Sequence, residues 1–232
     1  MGPIQRVFLA DGDALCIPQK RLVEILHAVN EFIPSTERIG IYANAKNILR
    51  KSLEDLQELR SLKLGIIYMG VETGDSRLLE KICKGASYEQ LVEAGRRVKQ
   101  AGIALSVTVL LGIGGTEGSE QHARGTARVM TDIDPDYVGA LSVILVPGTP
   151  LHDEFIEGRF RLPDPFGLIN ELRIMVDESS FSHCVFRSNH ASNYLPLKAT
   201  LPQDKKRALE AIEMVLRSRD QRRLRPEFLR AL

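Results

Sequence analysis

Short, mostly unbroken apolar runs alternate with helical stretches over the first two thirds of the chain. Strands that are buried on both faces look like this, as in parallel sheets that are covered by helices. Between the runs, apolar residues recur at the three- and four-residue spacing of an amphipathic helix. The predicted strands are RVFLAD (6–11), RIGIYAN (38–44), LGIIYMGVE (64–72), IALSVTVLLGI (103–113) and DYVGALSVILV (136–146).

Helices are predicted between these strands and after them. Ser52 and Ser87 stand where helix caps are expected, and Pro34 ends the first helix because it cannot continue the hydrogen-bond ladder. The resulting βαβαβαβαβ order implies right-handed crossovers and a parallel sheet, either open or curved into a barrel. The predicted helices span 19–33, 52–62, 75–83, 87–101, 119–133, 150–158, 165–178 and 203–217. The segment 179–201 contains SNHASNYLPL, which is expected to be irregular and polar.

Composition and charge exclude several classes of protein. The 31 basic and 30 acidic residues leave a net charge of +1, so no global field attracts nucleic acid or a membrane surface. No apolar run reaches the ~18 residues that would cross a bilayer, and the N-terminus shows no signal peptide. The three cysteines, Cys16, Cys83 and Cys184, are sparse and scattered, which indicates a reducing cytoplasm. We expect a cytoplasmic protein that acts on a small molecule or an unknown substrate, without membrane or clear nucleic-acid partners.

Acidic and glycine-rich segments follow the predicted strands. Ligands bind at the carboxyl ends of parallel strands, so these segments converge on one rim of the sheet. Carboxylates can hold hydroxyls or an ammonium group, and glycines allow a ligand to approach the backbone closely. Each feature also has a structural explanation: a glycine after a strand is usually a turn, and Asp13 and Asp75 are placed to cap helices. His190, within SNHASNY, is expected to form hydrogen bonds in a loop rather than to catalyse.

Taken in order, these segments resemble the radical S-adenosylmethionine (SAM) enzymes. Residues 70–115, GVETGDSRLLEKICKGASYEQLVEAGRRVKQAGIALSVTVLLGIGG, are similar to the region of that superfamily's fourth and fifth strands. FLADGDAL (8–15) resembles the turn that holds the methionine amino group, and VPGTPL (146–151) resembles the turn after the sixth strand. The resemblance implies an α/β fold: a partial TIM-like (β/α)6 barrel of the radical SAM type with its first βα unit missing. It assigns the barrel core to residues 1–150 and a helical extension that packs on it to residues 151–232.

The sequence departs from the family at the iron–sulfur cluster. The family holds a 4Fe-4S cluster by CxxxCxxC after its first strand, and this sequence contains no such motif. The implied cofactors are therefore SAM, together with a 4Fe-4S cluster in the full-length protein only. By this alignment the chain starts at the second strand, so we expect the cluster loop to lie upstream and the chain alone to form no radical. The uncovered edge at 6–11 favours a homodimer, because an unpaired edge strand is a template for association.

The resemblance also implies which residues bind SAM. At the methionyl end, the turn after the first strand would meet the amino group, a lysine would meet the carboxylate, and polar strand ends would face the barrel mouth. At the adenosyl end, a threonine would contact the ribose, while a glycine turn and an apolar turn would enclose the adenine. The methionyl residues are Asp11, Gly12, Asp13, Tyr42, Asn44, Glu72 and Lys84; the adenosyl residues are Thr108, Gly112, Ile113, Gly114, Val146 and Pro147.

Three functions remain open on the sequence. The first is a radical SAM core whose full-length form cleaves SAM reductively to a 5′-deoxyadenosyl radical, which then abstracts hydrogen from an unknown substrate. The second is a barrel-derived binding or interaction module that kept the fold and lost the cluster. The third is a TIM-barrel lyase or aldolase, which requires a Schiff-base lysine near a strand end. Lys46 and Lys84 lie beyond the strand ends, which counts against the third function.

Overall fold

The computed structural model describes residues 2–231, in which seven strands form one mostly parallel sheet. The strands lie in the sheet in their chain order, so the first and the last are its two edges. This arrangement confirms the predicted α/β class, as an open sheet. The strands are β1 (Arg6–Leu9), β2 (Arg38–Ala43), β3 (Leu64–Glu72), β4 (Ala104–Leu111), β5 (Tyr137–Ser142), β6 (Cys184–Arg187) and β7 (Lys198–Leu201).

The predicted helices all form, and their ends follow local capping chemistry. Ser52 and Ser87 each accept a hydrogen bond from the backbone three residues on, and a reciprocal side-chain bond completes each capping box. One five-residue helix, α2, is additional to the prediction because it is too short to show a helical period. The helices are α1 (Gln19–Phe32), α2 (Ala45–Leu49), α3 (Leu53–Ser61), α4 (Ser76–Lys81), α5 (Tyr88–Gln100), α6 (Gly115–Ile133), α7 (Pro150–Ile156), α8 (Pro165–Glu178) and α9 (Lys205–Ser218).

Residues 188–197, SNHASNYLPL, form an irregular loop, as expected, and two strands that the sequence did not predict flank this loop. β6 pairs parallel with β5, and β7 returns antiparallel to β6. Each of the two strands has four residues. The polar loop between them is anchored by buried Asn193, whose Nδ2 donates to Ala140 O at 2.7 Å and Ser188 O at 2.9 Å. His190 bonds to the Ser192 hydroxyl at 2.9 Å, so it is a loop hydrogen bonder, as expected.

The chain forms two compact units. Unit 1 comprises Met1–Gly70 and Gly85–Val107, and unit 2 comprises Val71–Lys84 and Thr108–Leu232. These boundaries differ from the predicted division at residue 150, which stays a prediction; its outermost residues, Met1 and Leu232, lie outside the described residues. Within residues 2–231, none of the helices is both long and apolar enough to cross a membrane.

Each unit has its own apolar core. In unit 1, Leu22 and Leu26 of α1 and Ile39 and Ile41 of β2 are completely buried. In unit 2, α6 packs along α8, and both helices bury apolar residues that repeat at helical spacing. The buried residues of this pair include Ala123, Ala127, Met130, Leu168, Leu172 and Met175.

The edge position of β1 leads to a prediction about self-association. Gln5 O accepts the Arg38 N–H, and Arg6 lies opposite Arg38, so the Arg6 N–H points away from β2. We expect the protein to self-associate through β1, and Arg6→Pro to weaken the dimer about tenfold by removing that donor. Light scattering over a concentration series measures this effect. Arg6→Ala is the control, because it keeps the N–H; a monomeric wild-type protein at high concentration would contradict the prediction.

Candidate functional site

The turn after β1 holds a carboxylate with spare hydrogen-bonding capacity. Asp13 Oδ2 accepts a bond from Asn47 Nδ2 at 2.6 Å, while its buried Oδ1 has no hydrogen-bond partner within residues 2–231. Asp13 makes no side-chain capping bond to the turn that follows, so the capping role considered for it is not formed. Asp11 is exposed, and among residues 2–231 its carboxylate bonds only to the neighbouring Gly12 N–H, at 2.7 Å. Asp13 is therefore the better-positioned acceptor of the turn.

At the carboxyl end of β2, one of the two predicted site residues has a structural role. Asn44 Oδ1 accepts the Asn47 N–H at 2.8 Å and thereby caps α2. Tyr42 is 47% exposed, and its ring contacts the rings of Phe8 and Tyr68. Of the two residues predicted to face the barrel mouth, Tyr42 has the freer side chain.

In unit 2, the end of β3 carries a preformed pair of opposite charges. Lys84 Nζ lies 2.9 Å from Glu72 Oε1, and both side chains keep about a fifth of their surface exposed, at 18% and 21%. Glu72 has φ of +65°, a left-handed conformation that costs a non-glycine residue roughly 1 kcal/mol or more. The structure thus brings two of the predicted site residues together at a strained backbone position.

Thr73, Gly74 and Asp75, which follow Glu72 in the turn after β3, have structural roles. Asp75 accepts the N–H groups of Arg77 and Leu78, so the capping role considered for it is confirmed. A Cβ at Gly74 would lie 2.0 Å from Gly125 O, so only glycine lets this turn pack against the α6 backbone. The Thr73 hydroxyl accepts the Asp75 N–H at 3.0 Å.

Buried His122 of α6 links the ends of β3 and β4. Its Nδ1 lies 2.8 Å from the Thr73 hydroxyl and its Nε2 lies 2.8 Å from Leu110 O. Since a carbonyl can only accept, Nε2 carries the proton and Nδ1 accepts from Thr73. Burial lowers the pKa of His122 to about 4, against a weaker opposing effect of the Leu110 bond, so the ring is neutral at neutral pH.

A second buried group, Glu171 of α8, fixes the glycine turn after β4. Its Oε2 accepts the Gly112 N–H at 2.6 Å, and its Oε1 accepts the Ser119 hydroxyl at 2.6 Å. Burial raises the pKa of Glu171 to about 7, while these two hydrogen bonds act in the opposite direction. His122 Nε2 lies 3.8 Å from the same carboxylate, too far for a hydrogen bond.

In the glycine turn after β4, several backbone N–H and C=O groups are already hydrogen-bonded within the protein and are not free for a ligand. Gly112 has φ of +86°, its N–H is held by Glu171, and its C=O accepts the Gly115 N–H at 3.0 Å. Gly114 O likewise accepts the Gly118 N–H at 3.2 Å, and Ile113 is buried. Gly112 therefore shapes the turn. Among the other predicted adenosyl residues, Thr108 is half-buried on β4, and Val146 and Pro147 are exposed beyond β5.

Four residues that support the site were not predicted from the sequence: Asn47, Ser119, His122 and Glu171. Their roles come from single long-range pairings, which leave no periodic trace. Glu171 does carry one signal, because it is an isolated acid in the apolar helix FGLINELRIMV (166–176). A carboxylate on the buried face of a helix needs a partner.

Comparison with known proteins decides the family. The sequence profile of the Radical SAM superfamily matches residues 1–124, more than half of the 232 residues. The chain belongs to the radical SAM superfamily. That membership confirms the resemblance seen in the strand ends, and it sets aside the lyase or aldolase alternative.

Individual radical SAM relatives are distant. The heme chaperone HemW of Bacillus subtilis (strain 168) is 20% identical over 161 residues, which cover 69% of this chain and 42% of HemW. The archaeal Elp3 of Methanocaldococcus infernus superposes with a TM-score of 0.61 at 15% identity, over 92% of this chain and 54% of Elp3. Coproporphyrinogen III oxidase (HemN) of Escherichia coli superposes with a TM-score of 0.59 at 12% identity, over 75% of this chain and 39% of HemN. The structural similarities show the shared fold, and this chain spans about half or less of each relative.

Radical SAM membership implies SAM and a 4Fe-4S cluster, which takes cysteine thiolates as ligands. In this chain Cys16 and Cys83 are exposed, and Cys184 is buried in β6. Within residues 2–231, no group of three or more His, Cys, Asp or Glu side chains is arranged to hold a metal ion.

The contact between Gly74 and Gly125 predicts a large effect on stability. Gly74→Ala places a methyl group against Gly125 O, so we expect a loss of about 3 kcal/mol in the free energy of unfolding. Urea denaturation measures it. Gly118→Ala in α6 is the matched control: nothing lies within 4 Å of the new methyl, so it should gain about 0.5–1 kcal/mol. Equal stabilities for the two variants would contradict the described packing.

The two buried titratable groups predict opposite pH dependences. His122 has a folded pKa below its ordinary 6.5, so its stabilising contribution is lost as pH falls below 6.5. Glu171 has a folded pKa above its ordinary 4.5, so its contribution is present below 4.5 and is lost as pH rises towards 7. Relative to wild type, Glu171→Gln should gain stability as pH rises from 4.5 to 7. His122→Gln should gain stability as pH falls from 6.5 to 4.

Urea unfolding in steps of pH tests both signs. Each difference slope should approach, and not exceed, about 1.4 kcal/mol per pH unit, which is the limit for one proton. The double variant should show the sum of the two curves, with the slopes opposing each other between 4.5 and 6.5. Difference curves of the same sign for the two single variants would refute the assignment.

Proposed function

We propose that this chain is the SAM-binding core of a radical SAM enzyme that acts on an unidentified substrate. The observation that carries the proposal is the Glu72–Lys84 ion pair, at a strand end within the region that matches the superfamily. The methionyl end of SAM is a zwitterion, and this pair offers it one partner of each sign. When the ligand enters, its ammonium group meets Glu72 and its carboxylate meets Lys84, so the site stays electrically balanced.

The strain at Glu72 supports a functional role. A residue held at positive φ without being glycine, asparagine or aspartate is uncommon and clusters at functional sites. From this left-handed position the Glu72 carboxylate lies 2.9 Å from Lys84 Nζ. The cost in stability is explained if the carboxylate is needed at this position.

Asp13 supports the proposal from unit 1. Asn47 fixes one oxygen of its carboxylate, and the second oxygen lacks a partner within the described residues. A buried acceptor without a donor is unfavourable in a finished protein, so a ligand ammonium or hydroxyl donor is its natural complement. We assign Asp13 the polar role that the resemblance implies, with Asp11 and Gly12 shaping the turn around it.

For the adenosyl end we retain Thr108, Ile113, Gly114, Val146 and Pro147 as the proposed contacts. Adenine sites combine apolar walls with a few polar groups, and the exposed Val146 and Pro147 offer apolar surface beyond β5. Gly112 acts indirectly in this proposal, because its backbone groups are already bonded. Glu171 is then the positioning residue of the turn.

In this superfamily, SAM bound at a 4Fe-4S cluster supplies the 5′-deoxyadenosyl radical. We propose that the ligands of this cluster come from residues outside this sequence, which is supported by the lack of a CxxxCxxC motif and of a metal-holding group within residues 2–231. The chain itself then binds and orients SAM without cleaving it. The second candidate, a binding module without catalysis, shares the fold and differs in having no preserved SAM site.

SAM binding to the 232-residue chain tests the proposal. Without the cluster, we expect a dissociation constant of about 1 mM, or ~−4 kcal/mol. Asp13→Asn and Glu72→Asn should each lose the saturation-transfer NMR signal, because each removes a carboxylate that is proposed to contact SAM. Asparagine tolerates the left-handed conformation, so Glu72→Asn should keep the turn folded.

Glu24→Gln on α1 is the charge-matched control, since that carboxylate is exposed and pairs with exposed Arg21 on the same helix. It should bind SAM as the wild type does. Equal signals from wild type, Asp13→Asn and Glu72→Asn would leave the fold as the surviving similarity and would favour the non-catalytic module.

A further inference from the structure

One face of the sheet in unit 1 carries three aromatic rings in mutual contact. Phe8 and Tyr42 lie edge to face with centroids 4.8 Å apart, and Tyr68 lies 5.6 Å and 5.8 Å from them. Phe8 is 41% exposed and Tyr42 is 47% exposed, so the described residues do not fully cover the aromatic cluster. Contiguous exposed aromatic surface of this kind marks a binding surface more often than a random feature.

Gly40 makes room for the rings. It lies opposite Phe8 in the register, and a Cβ on it would come within 2.9 Å of the Phe8 ring. The Phe8 ring therefore extends over the glycine and occupies the place where a side chain of β2 would stand. A larger residue at position 40 would push the ring away from the sheet, so the glycine keeps this aromatic surface in place.

Two arginines stand on the same face, near the start of the strands. Arg6 and Arg38 lie directly opposite each other, and they share a face with Phe8 and Tyr42 because side chains alternate along a strand. Neither arginine makes an ion pair with any residue between 2 and 231, and the neighbouring Glu37 is bonded to Gln5. Like charges in directly opposed positions destabilise a sheet. The register therefore places two arginines without an ion pair at opposed positions beside the exposed aromatic cluster, and the stem of Arg38 lies over Gly65 of β3.

We propose that this ring–arginine face (Arg6, Phe8, Arg38, Tyr42 and Tyr68) binds a planar aromatic anion, such as an aromatic carboxylate. The rings of the ligand stack on Phe8 and Tyr42, and its negative group lies between the two guanidinium groups, which recognise carboxylates by paired hydrogen bonds. The inference deepens the proposed function by naming the substrate class. It rests on that function only in calling the ligand a substrate.

The dimensions suit a ligand of two fused rings. Phe8 lies two positions after Arg6, which corresponds to about 7 Å along a strand, and Tyr42 lies four positions after Arg38. The anionic group then lies at the amino ends of the strands and the ring system lies towards their carboxyl ends. In unit 1, that end is where Asp13 stands, so the proposed ligand has its ring nearer to the SAM-binding end.

Binding of 2-naphthoate, followed by NMR titration of the full chain, tests the inference. Arg38→Gln and Tyr42→Leu should each weaken the affinity at least fivefold. The neutral analogue 2-naphthalenemethanol should bind at least fivefold more weakly than 2-naphthoate. Arg21→Gln and Phe32→Leu are the matched controls, because both side chains are exposed in unit 1 away from this face, and both should bind as the wild type does.

A second measurement separates a binding role from a structural one. In ligand-free protein, Arg38→Gln should raise the thermal midpoint by about 1 to 3 °C, because it relieves the repulsion with Arg6. A lowered midpoint, or unchanged 2-naphthoate affinity in Arg38→Gln and Tyr42→Leu, would overturn the inference. Affinity that falls as protein concentration rises would assign the face to a second copy of the chain and would overturn it as well.

The outcomes for the two proposals are distinguishable on the same samples. Arg38→Gln should leave the SAM signal unchanged, and Asp13→Asn should leave 2-naphthoate binding unchanged. Loss of SAM binding with retained naphthoate binding would refute only the proposed function, and the reverse result would refute only the ligand class.

Discussion

Unit 2 depends on the close contact between the turn after β3 and the backbone of α6. Gly74 and Gly125 bring the two main chains so near that no side chain fits between them. Polar groups that end up inside this contact cannot reach water, so each must find a partner within the protein. His122 satisfies Thr73 and Leu110, and the ends of β3 and β4 are thereby fixed by one neutral ring.

Hydrogen-bond capacity separates structural strand-end residues from candidate site residues. Asn44, Asp75 and Gly112 stand at strand ends as the superfamily pattern expects, yet their polar groups are already used for caps and turns. Asp13 keeps an oxygen without a partner, and Glu72 with Lys84 keeps a partly exposed pair of charges. A ligand needs polar groups that still have hydrogen-bonding capacity or an exposed charge. The proposed methionyl contacts are therefore fewer than the resemblance alone implies.

The sequence predicted the first five strands because each contains a continuous apolar run, and the capping serines marked the starts of α3 and α5. The four-residue β6 and β7 escaped prediction, since their stability comes from pairing with β5 rather than from their own pattern. At the site, the motif order identified Glu72 and Lys84. It could not reveal Glu171, whose partners Gly112 and Ser119 lie more than 50 residues away.

Two departures from local preference lie at the places proposed to bind ligands. Glu72 adopts a left-handed backbone, as Lys63, Cys83, Asp134 and Arg219 also do, and Arg6 faces Arg38 across neighbouring strands. Neither arrangement stabilises the sheet by itself. What distinguishes these two departures is that each stands beside charged groups that a ligand could engage. An ammonium group beside Glu72 and an anion between the arginines would each turn an unfavourable local feature into a favourable contact.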